Sequence, residues 1–271
     1  MRLGISSYTY VWSVGVPGFE QPEQPLSPIG LLAKAEELGV RVLQIADNLP
    51  LDRLSPAELD ELAALARERR IDLEVGTAGV DAEQLRNYLQ IAERLRSPIV
   101  RTVLDTNSCQ PTPAEAVAAI ASVLPDYCRA GVSLAIENHD RLPATMLANI
   151  VEQCDSRHVG ICLDTANSLG CGEDLQTVLS SLSPFVLNLH IKDFRAPRLP
   201  HKKGFLIQGC PAGQGLVDVP RVLQELRSRN RDPSVILELW TPPESTLNQS
   251  IAKEEAWARQ SITYLRQLIS D

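Results

Sequence analysis

The sequence is poor in aromatic residues and in positive charge. Phe, Tyr and Trp make up only 4% of the 271 residues, so broad surfaces that stack nucleic-acid bases are not expected. Lys and Arg number 26 against 34 Asp and Glu, which gives a net charge of -8. Because non-specific nucleic-acid binding depends on net positive surface, this balance disfavours a nucleic-acid partner.

Long apolar runs, paired cysteines and a leader segment are also lacking. The chain has no run of about 18 apolar residues, so we predict no membrane span. The six cysteines form no CxxC pair and show no regular spacing, which is typical of reduced thiols in the cytoplasm. No signal-peptide core precedes the first strand-like run, and we therefore expect a cytoplasmic protein.

Short apolar or β-branched runs recur along the whole chain. Most are apolar at nearly every position, as expected for strands that are covered on both faces. The eight runs are 3–10, 40–47, 72–79, 99–105, 133–139, 159–167, 186–194 and 234–240.

Helix-like stretches with capping signals alternate with these runs. Ser27-Pro28 opens one that Gly39 ends, and Ser55-Pro56-Ala57-Glu58 opens the next. The other stretches are 81–96, 112–130 (with Gly131 as a stop), 143–154, 174–182, 218–229 and 250–269. Eight strand–helix units predict an α/β fold, a single (β/α)8 TIM barrel formed as one domain by residues 1–271. The rival is an open doubly wound sheet, but no GxGxxG follows the first run.

Four consecutive strand runs end in side chains that can bind a metal ion. They are Glu137, Asp164, His190 and Glu238. In such barrels the chemistry lies at the carboxyl ends of the strands. One carboxylate there is often only a helix cap, whereas four such groups at one rim favour a divalent ion. Three carboxylates and one imidazole suit Mn²⁺, Mg²⁺ or Co²⁺, with Zn²⁺ as a further option.

The strand ends Ile-Glu-Asn-His (136–139), Leu-Asp-Thr-Ala-Asn (163–167), Leu-His-Ile-Lys-Asp (189–193) and Leu-Glu-Leu-Trp (237–240) resemble the xylose isomerase-like TIM-barrel superfamily of sugar and sugar-phosphate isomerases and epimerases. The resemblance implies one bound divalent ion, most often Mn²⁺, held by residues matching Glu137, Asp164, His190 and Glu238. It also implies that residues matching Glu137 and Glu238 transfer the proton. Dimers and tetramers are common in this family, which makes a homo-oligomer an expectation.

Six further residues are expected to bind the substrate. They are Tyr8, Asp47, His139, Asn167, Lys192 and Arg195. Arg101, early in the fourth run, is assigned to the core or to the opposite rim. Two positions depart from the ketose 3-epimerases, which carry a His where this chain has Asn167 and an Arg where it has Ala196.

The segment 192–203 holds five cations and one acid, a net charge of +4 within an acidic chain. Either this loop is simply solvated, or it lies over the mouth of the site and attracts an anionic carbohydrate such as a sugar acid or sugar phosphate. Gly213-Gln214-Gly215 is a weak signal for phosphate binding.

The first functional expectation is a metal-dependent sugar or sugar-acid isomerase or epimerase that works through an enediolate. The alternatives on the same site are a decarboxylase of a 3-oxo sugar acid and a dehydratase. Segments 4–12 and 47–50 resemble a 3-oxo-isoapionate decarboxylase branch of the family. A non-catalytic carbohydrate-binding barrel is the second alternative, since fold alone does not give function.

Overall fold

Eight parallel strands close into a barrel in the computed structural model, which describes residues 1–270. The strands are β1 (Leu3–Ser6), β2 (Val42–Ile45), β3 (Asp72–Ala78), β4 (Ile99–Val103), β5 (Ser133–Glu137), β6 (Val159–Asp164), β7 (Val186–Ile191) and β10 (Ser234–Leu237). Each pairs with its neighbour along the chain, and β10 pairs with both β7 and β1. The predicted (β/α)8 barrel is confirmed.

Helices surround the barrel, one after each of its strands. They are α2 (Pro28–Leu38), α3 (Pro56–Arg69), α4 (Ala82–Leu95), α5 (Pro113–Ala130), α6 (Ala144–Cys154), α7 (Leu175–Leu182), α8 (Val219–Ser228) and α9 (Leu247–Leu265), and a short α1 (Val11–Val14) precedes them. A capping box of Ser55 and Glu58 begins α3, and another of Thr112 and Glu115 begins α5. The apolar side chains of strands and helices form one buried core between the two layers.

Several predicted runs extend past the observed strands, as 40–47 does past Val42–Ile45 and 159–167 past Val159–Asp164. The first run stops being a strand at Ser6, because the Ser6 hydroxyl accepts a hydrogen bond from Tyr8 N at 2.9 Å and begins a tight turn. The last helix begins at Leu247 rather than at residue 250, since the Thr246 hydroxyl accepts from Gln249 N, and it ends at Leu265. The seventh run divides into two strands, Val186–Ile191 and Asp193–Arg195.

A small antiparallel hairpin leaves the barrel directly after β7. It consists of β8 (Asp193–Arg195) and β9 (Gln208–Cys210), and neither strand joins the barrel sheet. The predicted seventh run therefore combines a barrel strand with the first strand of this hairpin. No helix within residues 1–270 is long and apolar enough to cross a bilayer.

Candidate active site

The carboxyl ends of four neighbouring strands bring Glu137, Asp164, His190 and Glu238 together. Glu137 and Asp164 end β5 and β6, while Glu238 directly follows β10. Register places Asp164 and Ile236 on either side of His190 in the sheet. One potential ligand atom from each of the four lies within 4.8 Å of the others, and all four side chains are buried.

This group fits a divalent cation chemically. The three carboxylates supply the oxygen ligands that hard divalent ions prefer, and an imidazole nitrogen suits borderline ions. His190 Nδ1 lies 3.3 Å from Glu238 Oε1 and 3.4 Å from Glu137 Oε2. It is buried and has no hydrogen-bond partner among the described residues. A buried ring nitrogen that faces two carboxylates without such a partner is what a metal ligand requires.

Two buried cations contact the same carboxylates. Lys192 Nζ lies 3.0 Å from Asp164 Oδ2 and 3.0 Å from Glu238 Oε2. The Arg101 guanidinium pairs with Glu137 through Nε and donates from Nη1 to Asp47 Oδ1 at 2.6 Å. Arg101 and Lys192 are only 3% and 5% exposed, so their charges act with little screening by water.

The charges of these groups determine the protonation states within the cluster. Burial alone raises the pKa of a carboxyl, but Arg101 and His190 hold the pKa of Glu137 well below its ordinary value. Against the same effect of burial, His190 and Lys192 lower the pKa of Glu238. Burial dominates at Asp164, whose pKa is raised despite its pairing with Lys192.

The position of Arg101 corrects the assignment made from sequence. Arg101 lines the cavity together with Val103 and Asp105, which alternate with it along the chain. In the register of the sheet its neighbours are Gly76 and Ala135, and a Cβ on Gly76 would lie 3.4 Å from Arg101 Cδ. Two small neighbours leave room for the long side chain to reach the carboxyl end of the barrel. The alternation of side chains along a strand could have predicted this position, because Arg101 and Val103 lie four and two residues before Asp105.

Five of the six predicted substrate-binding residues line the cavity. They are Tyr8, Asp47, His139, Asn167 and Lys192. Asn167 Nδ2 donates to Glu137 Oε1 at 2.8 Å, and Asn167 Oδ1 accepts from Lys192 Nζ at 3.2 Å. The Tyr8 hydroxyl donates to Asp47 Oδ2 at 2.9 Å. His139 lies farther out, where its ring contacts Asp140 at 2.7 Å.

Arg195, the sixth, is not brought to the cavity. It belongs to β8, and its guanidinium donates to the backbone oxygen of Gln214 at 2.8 Å. Of the basic segment 192–203, only Lys192 is among the described residues that line the cavity. The positive charge at the site therefore comes from Arg101 and Lys192 rather than from a basic loop.

Asp193 explains why the turn after β9 does not present free amides to an anion. Its carboxylate accepts from Gly213 N and Gly215 N, both at 2.9 Å, and from Val217 N at 3.1 Å. The predicted contribution of Gly213-Gln214-Gly215 to phosphate binding is therefore wrong, because these two glycine amides already have a partner.

Glu137 and Glu238 line an open cavity of about 1090 Å³, whereas Asp164 and His190 are buried and are not among its lining residues. One of its walls is apolar, and its lining residues include Val11, Trp12, Val16, Phe19, Leu239, Trp240 and Pro243. Glu254 of α9 holds this wall in place, because its carboxylate accepts from Trp12 N at 2.9 Å and from Ser13 N at 2.7 Å. The combination of buried carboxylates, fixed cations and an apolar wall can hold a small polar anion beside a metal ion.

Residues 32–268 match the family described as "Xylose isomerase-like TIM barrel". A relative from Pectobacterium atrosepticum named 3-oxo-isoapionate decarboxylase is 33% identical over 265 residues, which cover 98% of this chain and 95% of the relative.

Solved structures of sugar epimerases share the architecture. D-psicose 3-epimerase from Clostridium cellulolyticum H10, determined with D-tagatose, has a TM-score of 0.75 at 16% identity, with 99% of each chain covered. An L-ribulose 3-epimerase has a TM-score of 0.72 at 16% identity, covering 98% of this chain and 93% of the other. At these identities the similarity shows the shared fold alone.

Proposed function

The chain belongs to the xylose isomerase-like TIM-barrel family, and we propose that it is a divalent-metal-dependent decarboxylase of a 3-oxo sugar acid. The observation that carries the proposal is the similarity to the 3-oxo-isoapionate decarboxylase along nearly the full length of both chains. The two buried cations of the site support it, because the substrate of such a reaction is an anion.

Glu137, Asp164, His190 and Glu238 are the residues that would hold the ion. When bound there, a divalent ion supplies Lewis-acid polarisation of the substrate carbonyl and a neighbouring hydroxyl, which lowers the energy of an enediolate. The donor set favours Mn²⁺, Mg²⁺ or Co²⁺ over Zn²⁺, and we propose Mn²⁺.

Lys192 and Arg101 are proposed to draw the substrate anion into the cavity. Both are buried cations on the cavity wall, so water screens their charges only weakly. Lys192 Nζ also lies 5.2 Å from the centre of the Trp240 ring, so the ammonium is bordered by an apolar surface. A substrate carboxylate beside these two cations would exchange its bound water for contacts with their fixed charges. The uncharged CO₂ that forms would lie against the apolar wall.

Decarboxylation requires one bond to break and one proton to be delivered. The bond between the carboxylate and its neighbouring carbon breaks, its electron pair forms the enediolate with the 3-oxo group, and CO₂ leaves. The same carbon then takes one proton, which gives a ketose one carbon shorter. Of the two cations in contact with the cluster, Arg101 does not release a proton in proteins, so we assign proton delivery to Lys192 Nζ. Burial lowers the pKa of Lys192, but Asp164 and Glu238 raise it above its ordinary value, so Nζ carries the proton at neutral pH.

Decarboxylation fits the carboxylates better than proton abstraction does. Glu137 already accepts from Arg101 and Asn167, and Glu238 contacts Lys192 and accepts from Ser6 Oγ at 2.9 Å. A general base needs a free oxygen within reach of the proton that it removes. Loss of CO₂ needs no base, so Glu137 and Glu238 would have only to bind the metal ion.

One observation favours a second candidate, the metal-dependent isomerase or epimerase. Glu137 and Glu238 both line the cavity, with His190 Nδ1 between them at 3.4 and 3.3 Å. A pair of carboxylates that flanks a substrate can remove a proton on one side and return it on the other. Here the same enediolate forms by loss of a proton, and the carbon count stays the same.

The proposal is tested with Lys192→Met and the matched control Lys203→Met, which changes an exposed lysine away from the cavity. Metal-stripped protein is reloaded with Mn²⁺, incubated with a 3-oxo sugar acid, and assayed for CO₂. We expect Lys192→Met to lose about 10²–10⁴ in rate, the usual contribution of a positioned acid, and Lys203→Met to match the wild type. CO₂ release unaffected by Lys192→Met would contradict its role, and no release by the wild type would contradict the decarboxylase.

A further inference from the structure

A buried polar network lies beneath the metal cluster, inside the barrel. It consists of Gln44 on β2, Glu74 on β3, Asn188 on β7 and Ser234 on β10. Gln44 and Asn188 are fully buried and Glu74 is 2% exposed. None of the four is among the described residues that line the cavity, so the proposed reaction does not use them directly.

The hydrogen bonds of Gln44 fix the orientation of its amide. Gln44 Nε2 donates to Glu74 Oε2 at 3.0 Å and to Asn188 Oδ1 at 3.1 Å. Asn188 Nδ2 donates to the same Glu74 oxygen at 2.9 Å, and the Ser234 hydroxyl donates to Glu74 Oε1. Glu74 thus receives donors on both oxygens. Because Glu74 and Asn188 accept both donors of Gln44 Nε2, the amide oxygen Gln44 Oε1, which can only accept, faces the remaining neighbour.

That neighbour is His190, whose Nε2 lies 2.7 Å from Gln44 Oε1. Facing an acceptor, Nε2 has to carry the ring proton. An imidazole that binds a metal ion through the Nδ1 lone pair keeps its one proton on Nε2. Nδ1 is the atom that faces Glu137 and Glu238 without a hydrogen-bond partner within residues 1–270.

We propose that Glu74 and Gln44 are positioning residues that present the lone pair of His190 Nδ1 to the metal ion. Glu74 orients the Gln44 amide, and Gln44 Oε1 then holds the His190 proton on Nε2. The inference rests on the proposed metal site, but it concerns residues that touch neither metal nor substrate. Outer partners of a metal-binding His fix its tautomer and ring orientation, and their loss typically lowers metal affinity about 10–100-fold.

Two variants remove different parts of this connection. Glu74→Gln keeps the size of the side chain but adds a donor, so the Gln44 amide loses the carboxylate that fixes its orientation. Gln44→Leu removes the acceptor of the His190 proton altogether. Ser97→Ala is the matched control, since Ser97 is a buried hydroxyl in the same barrel that bonds Val75 N at 3.2 Å and Ile99 O at 2.6 Å.

The test titrates metal-stripped full-length protein with Mn²⁺ by isothermal calorimetry. We expect Glu74→Gln and Gln44→Leu to weaken binding about 10–100-fold, and Ser97→Ala to bind as the wild type does. The positioning role would be overturned if the wild type bound Mn²⁺ and both network variants bound it equally tightly. Wild-type protein that binds no divalent ion would instead overturn the metal site itself, so the two failures are distinct.

A second readout does not depend on whether the variants fold. The protein has four histidines, so ¹⁵N-histidine NMR of the Zn²⁺-loaded wild type yields few ring signals. We expect the His190 proton on Nε2 and the metal on Nδ1. A proton on Nδ1 would refute the proposal even if Gln44→Leu and Glu74→Gln both failed to fold.

Discussion

Replacing Arg101 with Met is expected to destabilise the metal-free protein, because Glu137 would remain buried without its main cationic partner. Arg101 is 3% exposed and Glu137 is 1% exposed. Removing one partner of a buried ion pair typically costs about 3–5 kcal/mol. Asn167 Nδ2 still donates to Glu137 Oε1 at 2.8 Å, which places the expectation near the lower end of that range. For a chain of this size, about 3 kcal/mol corresponds to a fall in melting temperature of about 6–12 °C.

Two comparison variants separate the buried charge from other effects of losing an arginine. Arg2→Met removes a pair with Asp72 in which the side chains are 49% and 59% exposed, and we expect a cost of about 1 kcal/mol or less. The double variant Arg101→Met/Glu137→Gln removes both buried charges. It should recover most of the lost stability, since the penalty comes from the uncompensated carboxylate.

Urea unfolding followed by circular dichroism, with all samples stripped of metal, measures these differences. The reasoning would be refuted if Arg101→Met lay within about 1 kcal/mol of the wild type, the scale of an exposed pair. A double variant no more stable than Arg101→Met would refute it equally, because the buried charge would then not be the cause.

Three further results are expected. Glu238→Gln replaces a proposed metal ligand, so it should keep the fold but lower metal-dependent turnover by at least about 10²-fold, measured by CO₂ release. A fully active variant would contradict the role of Glu238 as a ligand. Burial raises the pKa of Glu254 from 4.5 to about 7, so its contribution to stability is complete below pH 4.5 and is lost as the pH rises through 7. Relative to Glu254→Gln, the wild-type free energy of unfolding should therefore fall by about 3 kcal/mol between those values, and parallel pH profiles would contradict this. Free Mn²⁺ at about 100 times its dissociation constant should raise the free energy of unfolding by about 2.7 kcal/mol, and a chelator should reverse the gain. An unfolding curve indifferent to both would speak against a bound ion.

The barrel and the four residues at its rim could be predicted because they depend on local pattern. Apolar runs alternate with capped helices, and parallel strands in a closed barrel bring their carboxyl ends to one rim. Glu137, Asp164, His190 and Glu238 stand at or next to such ends, so neighbouring strands bring them together without any knowledge of side-chain packing.

Arg101 and Arg195 show what local pattern could not predict. Arg101 lies in the middle of β4. Its side chain reaches the cavity because the small residues Gly76 and Ala135 lie beside it in the sheet register. Arg195 follows the end of a barrel strand, but residues 193–195 pair with 208–210. Arg195 therefore belongs to a hairpin outside the barrel sheet. Both outcomes depend on contacts between segments that are distant in sequence.

Proton NMR of the reaction in D₂O tests the central proposal most directly. Protein reloaded with Mn²⁺ is incubated with a 3-oxo sugar acid, next to metal-stripped protein and to ketose substrates. We predict metal-dependent loss of CO₂ and a shortened ketose that carries one deuterium at the carbon that bore the carboxylate. Deuterium next to the carbonyl of a product with its full carbon count, and no CO₂, would contradict the decarboxylase and identify an isomerase or epimerase instead.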